Sequence, residues 1–136
     1  MTRKEEIIMW CCSDVAIVIQ AKDNDKLLKA AKYWDEKHDL DGYYTVEQLL
    51  SDADSDVNTK DGKYRLIVWR IIKWYAGVDN EKTYVSQEFF ESLTDFGIKY
   101  DFVRIGEKMG DYEVKRNLNS GLIYPDQSIW FNSKYI

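Results

Sequence analysis

Chain-breaking residues are scarce in this sequence: one proline, Pro125, and seven glycines stand among 136 residues. So few breakers predict dense regular secondary structure. The longest apolar run, residues 15–19, is far shorter than the roughly 20 residues that a membrane-spanning helix needs. The opening MTRKEEIIMW has no apolar stretch as long as that of a secretion signal. We therefore expect a protein that acts in a cytoplasm and has no membrane partner.

Metal-ligating and redox-active residues are equally scarce. The two cysteines are adjacent, at Cys11 and Cys12, and neighbouring cysteines reach normal disulfide geometry only with backbone strain. His38 is the only histidine, and it lies near the end of a predicted helix. The sequence has no signature of a hydrolase, a metalloprotease or a phosphate-binding loop. These absences predict a protein that uses no cofactor and is not an enzyme.

Apolar residues make up 45% of the chain and aromatic residues 15%, enough for one domain over residues 1–136 with a single core. The periodicity of these residues predicts strands at 15–19, 64–75, 100–105, 112–118 and 129–131 and helices at 25–37, 46–53 and 85–96. This order predicts an α+β fold. More specifically, we expect a ferredoxin-like sandwich with a mainly antiparallel sheet, two helices on one face and an acidic insert after the first helix.

The net charge of the chain, −5, is concentrated in the acidic insert, residues 35–63. The insert has nine acidic residues and three lysines, a formal charge of −6. A negative charge confined to so short a segment indicates a surface that repels anions and attracts basic surfaces. Thr45 and Gln48 form the pattern of a capping box. It predicts a short helix from Val46, and we expect the rest of the insert, from Asp52 to Gly62, to be a loop.

Two features of the acidic insert bear on binding. Asp52, Asp54 and Asp56 alternate with other residues, as in a calcium-binding loop, but the glycine and glutamate that such a loop requires are missing. We expect a solvated acidic loop or contact surface, with weak incidental cation binding as the alternative. Tyr43 and Tyr44 lie among acids, a composition typical of protein-binding patches, although packing of the insert onto the domain also explains them. The predicted partner-binding residues are Asp39, Asp41, Tyr43, Tyr44, Glu47, Asp52, Asp54 and Asp56.

A second pattern lies between residues 64 and 114. The segments Ile72–Tyr75, Phe102–Glu107 and Asp111–Glu113 together resemble a pattern in small phage and prophage proteins of unassigned function. The resemblance implies a mobile-element context. Small acidic proteins of that kind often bind a host protein, as anti-CRISPR and other anti-defence inhibitors do. The resemblance implies no active-site residue.

The leading hypothesis is a non-enzymatic inhibitor of a host nucleic-acid-handling protein, such as a CRISPR effector. In this hypothesis the acids of the insert occupy a basic groove in place of phosphates, and the two tyrosines serve as apolar anchors. The protein itself does not contact nucleic acid. A sequence pI near 4.9 agrees with this, because non-specific nucleic-acid binding draws most of its energy from lysine and arginine.

The alternative hypothesis is a small RNA- or nucleotide-binding module that uses the sheet face opposite the helices. It predicts that bases stack on Tyr100, Phe102 or Tyr112, as they do on other single-strand binders. The basic rim of such a site is predicted from Arg104, Lys115 and Arg116.

Overall fold

The computed structural model describes residues 12–38, 45–73, 88–107, 110–125 and 129–131. The strands are β1 (Cys12–Gln20), β2 (Ser55–Asn58), β3 (Tyr64–Lys73), β4 (Tyr100–Gly106), β5 (Tyr112–Arg116), β6 (Ile123–Pro125) and β7 (Ile129–Phe131). The helices are α1 (Asn24–His38), α2 (Val46–Ser51) and α3, which is described over residues 88–92. Short 3₁₀ turns, Ala21–Asp23 and Leu93–Phe96, precede α1 and follow α3. None of the described helices is long and apolar enough to cross a membrane.

Five strands form one open sheet in the order β2-β3-β1-β4-β5, and every neighbouring pair is antiparallel. The sequence predicted β1 as a buried strand, and this is confirmed: the five residues from Val15 to Ile19 are at most 1% exposed. A strand that is apolar on both faces belongs in the centre of a sheet, where both faces are covered. The predicted α+β class and mainly antiparallel sheet are therefore confirmed.

One face of the sheet packs against the helices. Val15, Ile17 and Ile19 of β1 lie on this face and form its centre. The helices contribute Leu27, Ala30, Ala31, Trp34, Val46, Leu49, Phe89 and Phe90 to the same core. Three helical segments therefore reach this face, because the acidic insert adds α2 to α1 and α3. Gly97 ends the α3 region with a left-handed φ of +73°, as the sequence predicted.

The opposite face of the sheet is covered by the chain that follows β5. Ala16 and Val18 of β1 are fully buried beneath a second cluster that includes Leu122 and Ile123. The carboxylate of Asp101 holds this cover in place: it accepts hydrogen bonds of 2.6–3.0 Å from the backbone of residues 118–120 and from the Ser120 hydroxyl. Four donors on one carboxylate balance the cost of burying its charge.

Part of the acidic insert is regular structure where a loop was expected. The prediction of a continuous loop from Asp52 to Gly62 is wrong, since Ser55–Asn58 forms β2 at one edge of the sheet. Val57 turns inward and packs against the second core cluster, while Asp56 and Asn58 are exposed. The alternation of aspartates thus follows the two-residue period of a half-buried strand.

Candidate interaction surface

Local hydrogen bonds hold α2 rigidly at its start. The predicted capping box is present: the Thr45 hydroxyl accepts from the Gln48 N–H at 3.1 Å, and Gln48 Oε1 accepts from the Thr45 N–H at 2.9 Å. Asp35 on α1 reaches across to accept from the N–H groups of Val46 and Glu47 at 2.8 and 3.1 Å. One acid of the insert therefore caps a helix, where negative charge opposes the positive end of the helix dipole.

Contacts with the core fix the orientation of α2. Val46 and Leu49 are at most 1% exposed, and the Leu49 carbonyl accepts a buried hydrogen bond from Trp69 Nε1 at 2.8 Å. With this face buried, Glu47 is turned to solvent, and Asp52 lies exposed just beyond the last turn. Two of the predicted binding acids, one on the helix and one at its C-cap, are thus exposed to solvent.

Asp56 on β2 is paired inside the domain. Its two carboxylate oxygens accept from Arg65 Nε and Nη2 at 2.8 and 2.6 Å. Arg65 also donates to Asn24 at the start of α1, at 3.4 Å. The hydrogen bonds that Arg65 donates to Asp56 raise the pKa of Arg65 against the opposing effect of burial. Since its charge is balanced by a neighbour, Asp56 adds little to the field that a partner would meet.

Two further acids of the insert make hydrogen bonds to the backbone. Asp54 accepts from the Arg70 N–H at 2.6 Å. Asp61 accepts from the Thr59 hydroxyl at 2.7 Å and the Lys63 N–H at 2.9 Å, and these bonds lower the pKa of Asp61. Asp54 therefore ties the start of β2 to β3, and Asp61 stabilises the turn between β2 and β3. Among the residues that the structure describes, no group of three or more histidine, cysteine or acidic side chains is placed to hold a metal ion.

The predicted binding residues therefore divide into three sets. Asp39, Asp41, Tyr43 and Tyr44 lie outside the described residues. Asp54 and Asp56 are exposed and accept hydrogen bonds within the domain. Glu47 on α2 and Asp52 at its C-cap are also exposed. We call the four described acids, Glu47, Asp52, Asp54 and Asp56, the acidic surface.

Sequence reasoning missed the capping role of Asp35. Asp35 lies at the end of the predicted first helix and at the start of the acidic insert, and this position was the available signal. Its bonds to α2 join residues that are 11 and 12 positions apart and have no local sequence pattern.

A buried ionic cluster lies elsewhere on the sheet. Arg104 is 4% exposed and binds both oxygens of Asp111 at 2.7 and 3.2 Å, Glu113 at 3.1 Å and Ser13 at 3.3 Å. Burial acts to lower the pKa of Arg104, but the two carboxylates outweigh it and raise the pKa. The approach of Asp111 requires a glycine at position 106, because a Cβ there would collide with the carboxylate. The prediction that Arg104 lines a basic rim is therefore wrong: it is buried and ion-paired.

The aromatic side chains predicted to stack on bases are mostly inaccessible. Tyr100 and Phe102 are 2% and 1% exposed within the helix-side core, so the stacking role predicted for them is wrong. Burial, with a smaller effect from the charge of Glu91, raises the pKa of Tyr100. Tyr112 differs from both, since it is 60% exposed. A single exposed ring among these three residues does not make the stacking surface that the alternative hypothesis requires.

The sequence matches no model of a known protein family, and neither a curated protein nor a solved structure shows significant similarity to it. The resemblance to phage proteins therefore stays a prediction. Any function assigned to the chain rests on its own residues.

Proposed function

We propose that this protein is a non-enzymatic, phage-type inhibitor that binds a nucleic-acid-handling protein of the host, such as a CRISPR effector, in the host cytoplasm. The observation that supports this most directly is the placement of the acidic surface on α2, β2 and the short segment that joins them. Capping, the buried bond from Trp69 and pairing with β3 hold its backbone in place before any partner arrives. Preorganised charge costs little ordering entropy on binding.

The charge of this surface suits a basic partner. Residues 45–63 contain five acids, two lysines and no arginine, a formal charge of −3. Arg65, just beyond this range, balances Asp56 and reduces this charge to −3 + 1 = −2. Complementary charge of this kind mainly raises the association rate and selects the partner. It is modest beside a run of phosphates, so the affinity must also draw on apolar contacts. Tyr43 and Tyr44 are proposed for this role, because tyrosine is enriched at protein interfaces and both residues belong to the acidic insert.

A ferredoxin-like core is part of the same proposal. The strand order β2-β3-β1-β4 supports it, because it is the antiparallel order of a split β-α-β arrangement. In this view α1 and α3 are the two helices of the core, while α2 and β5 are additions to it. The acidic insert then starts at the end of α1 and brings its charge to the β2 edge.

The proposal is tested by capturing partners from a bacterial host lysate on immobilised protein. Wild type is compared with a Glu47→Gln/Asp52→Asn double variant at about 50 and 300 mM salt, with quantitative mass spectrometry of the eluates. An Asp95→Asn/Glu107→Gln variant is the matched control, because it removes two charges from exposed residues outside the insert. Far-UV circular dichroism checks that each variant is folded.

We expect a nucleic-acid-binding protein to elute at high salt and to be recovered about three- to tenfold less on the double variant than on the control. Equal recovery on both variants, or capture that is insensitive to salt, would contradict a role for the acidic surface. Recovery of RNA without a stoichiometric protein would favour the alternative hypothesis instead.

A further inference from the structure

The second edge of the sheet is β5, and within the described part of the chain its outer backbone groups have no strand partner. Among the described residues β5 pairs only with β4. The backbone carbonyl of Asp111 accepts from the Gly106 N–H at 2.7 Å, and the backbone carbonyl of Tyr100 accepts from the Asn117 N–H at 3.1 Å. Backbone groups of an antiparallel strand alternate in direction. Odd-numbered residues of β5 therefore bond to β4, and the N–H and C=O groups of the even-numbered residues 112, 114 and 116 point out of the sheet.

The sequence of this edge, Tyr-Glu-Val-Lys-Arg over residues 112–116, is complementary to itself in reverse. When two copies run antiparallel about a two-fold axis at Val114, Glu113 of each lies opposite Lys115 of the other. Tyr112 likewise lies opposite Arg116, a cation–π pair. Opposite charges at facing positions stabilise strand pairs. Because residues 113 and 115 do not bond across this edge, their side chains take the closer of the two cross-strand spacings.

Charge also selects this register over its neighbours. Shifting the axis to Glu113 places two glutamates face to face, and shifting it to Lys115 does the same with two lysines. Like charges directly opposite are destabilising. Only the axis at Val114 aligns all three outward-pointing residues of both strands, which allows roughly six backbone hydrogen bonds. It also places Glu113 of each copy opposite Lys115 of the other.

The other edge of the sheet offers no such pairing. β2 has one acidic residue, Asp56, and no basic residue, so a second β2 would gain no ion pair of the kind that β5 allows. Charged residues on an edge are a common protection against strand pairing. The charge pattern of β5 therefore fits a second copy better than that of β2.

We propose that the protein forms a symmetric dimer through β5, giving one antiparallel sheet across both copies. Within each copy Arg104 bonds Glu113 at 3.1 Å, and Lys115 lies 3.5 Å from Glu91. In the dimer these pairs join into a chain of alternating charge, Arg104–Glu113–Lys115–Glu91, that crosses the interface twice. The contact is small for a protein interface, so we expect association on the order of 10 µM.

Sedimentation equilibrium of the intact protein from about 1 to 500 µM tests the proposal. Wild type should fit a monomer–dimer equilibrium that weakens with salt. Lys115→Glu turns two attractive cross-strand pairs into two repulsive ones and should raise the dissociation constant at least about tenfold. Lys29→Glu, which makes the same charge change on an exposed position of α1, should leave it within about twofold.

A second variant removes backbone bonds without changing charge. Val114→Pro deletes the outward N–H at the axis, and this N–H is not bonded to β4, so proline is tolerated better there than at an inward position. Thermal unfolding verifies that the variant folds. It should be monomeric throughout the concentration range. A monomeric wild type at 500 µM, open-ended oligomers, or a dimer that Lys115→Glu weakens no more than Lys29→Glu would each overturn the proposal.

Discussion

Ile71 is the residue whose backbone departs furthest from ordinary strand geometry. It has a left-handed φ of +53° although it is β-branched, and its side chain is 77% exposed. It belongs to a β-bulge in which Arg70 and Ile71 lie opposite the single residue Asp14. Asp14 holds the bulge by accepting the Ile71 N–H at 3.0 Å and pairing with Arg70 at 3.5 Å. Such a conformation costs about 1–3 kcal/mol in a residue with a side chain.

Ile71→Gly should therefore stabilise the protein. Glycine adopts positive φ without strain, and little burial is lost. We expect a gain of about 0.5–1 kcal/mol in the free energy of unfolding, measured by urea denaturation. Ile71→Val is the matched control and should show no gain, since valine is branched at the same carbon. A glycine variant less stable than wild type would show that the strain is absent or that the isoleucine makes stabilising contacts.

Asp61 should make stability depend on pH in the acid range. Its folded-state pKa is lowered by the Thr59 and Lys63 bonds from a reference value of 3.8. The carboxylate then contributes stability that is fully present above about pH 4 and is lost as the pH falls through the folded pKa. Asp61→Asn should be less stable than wild type at pH 6, and the difference should shrink toward pH 2.5. Urea denaturation across this range checks it, and a difference independent of pH would contradict the assignment.

At the scale of elements, the start of α2 depends on one acid of α1. Asp35→Ala removes the acceptor of two backbone N–H groups and should cost about 1–2 kcal/mol of unfolding free energy. Glu36→Ala, at the next residue, which is exposed, is the control and should change the free energy of unfolding by less than about 0.5 kcal/mol. If both variants lose the same stability, the loss reflects general charge on α1 and not capping.

The cover over the second sheet face depends on Asp101. Asp101→Asn keeps the size of the side chain but replaces one acceptor oxygen with a donor that faces other donors. We expect a loss of about 2–4 kcal/mol in denaturant unfolding and increased binding of an apolar dye, because Leu122 would leave Ala16 and Val18 uncovered. Asp95→Asn, an exposed aspartate, should change neither quantity. If the Asp101 variant is destabilised but binds no more dye than wild type, the Asp101 hydrogen bonds do not hold the cover over the second sheet face.

Elements with strong local patterns were predictable from the sequence, and those that depend on distant partners were not. The β-branched run of β1, the apolar spacing of α1 and the capping box of α2 each predicted an element that is present. β2 was missed because aspartate is disfavoured in strands. It forms because its backbone pairs with β3 and Arg65 balances Asp56, and neither contact leaves a mark near residues 55–58.

At the scale of the whole molecule, charge is distributed unevenly over the two sheet edges. The location of the acidic surface was predictable, because the imbalance of residues 35–63 is visible in the sequence. The hydrogen bonds that Asp54 and Asp56 accept within the domain were not predictable, because their donors lie on β3. In the proposed dimer the two acidic edges lie at opposite ends of the joined sheet, about 43 Å apart. That spacing suits a partner with two basic sites.

The most direct test of the central claim is a competition between this protein and nucleic acid for the captured partner. Fluorescence anisotropy follows labelled protein bound to the partner as an oligonucleotide is added. We predict that the oligonucleotide displaces the labelled protein completely. We also predict that the affinity of the protein for the partner depends less on salt for Glu47→Gln/Asp52→Asn than for Asp95→Asn/Glu107→Gln. A stable complex that holds protein and oligonucleotide together would contradict it, because the acidic surface would then occupy some site other than the nucleic-acid groove.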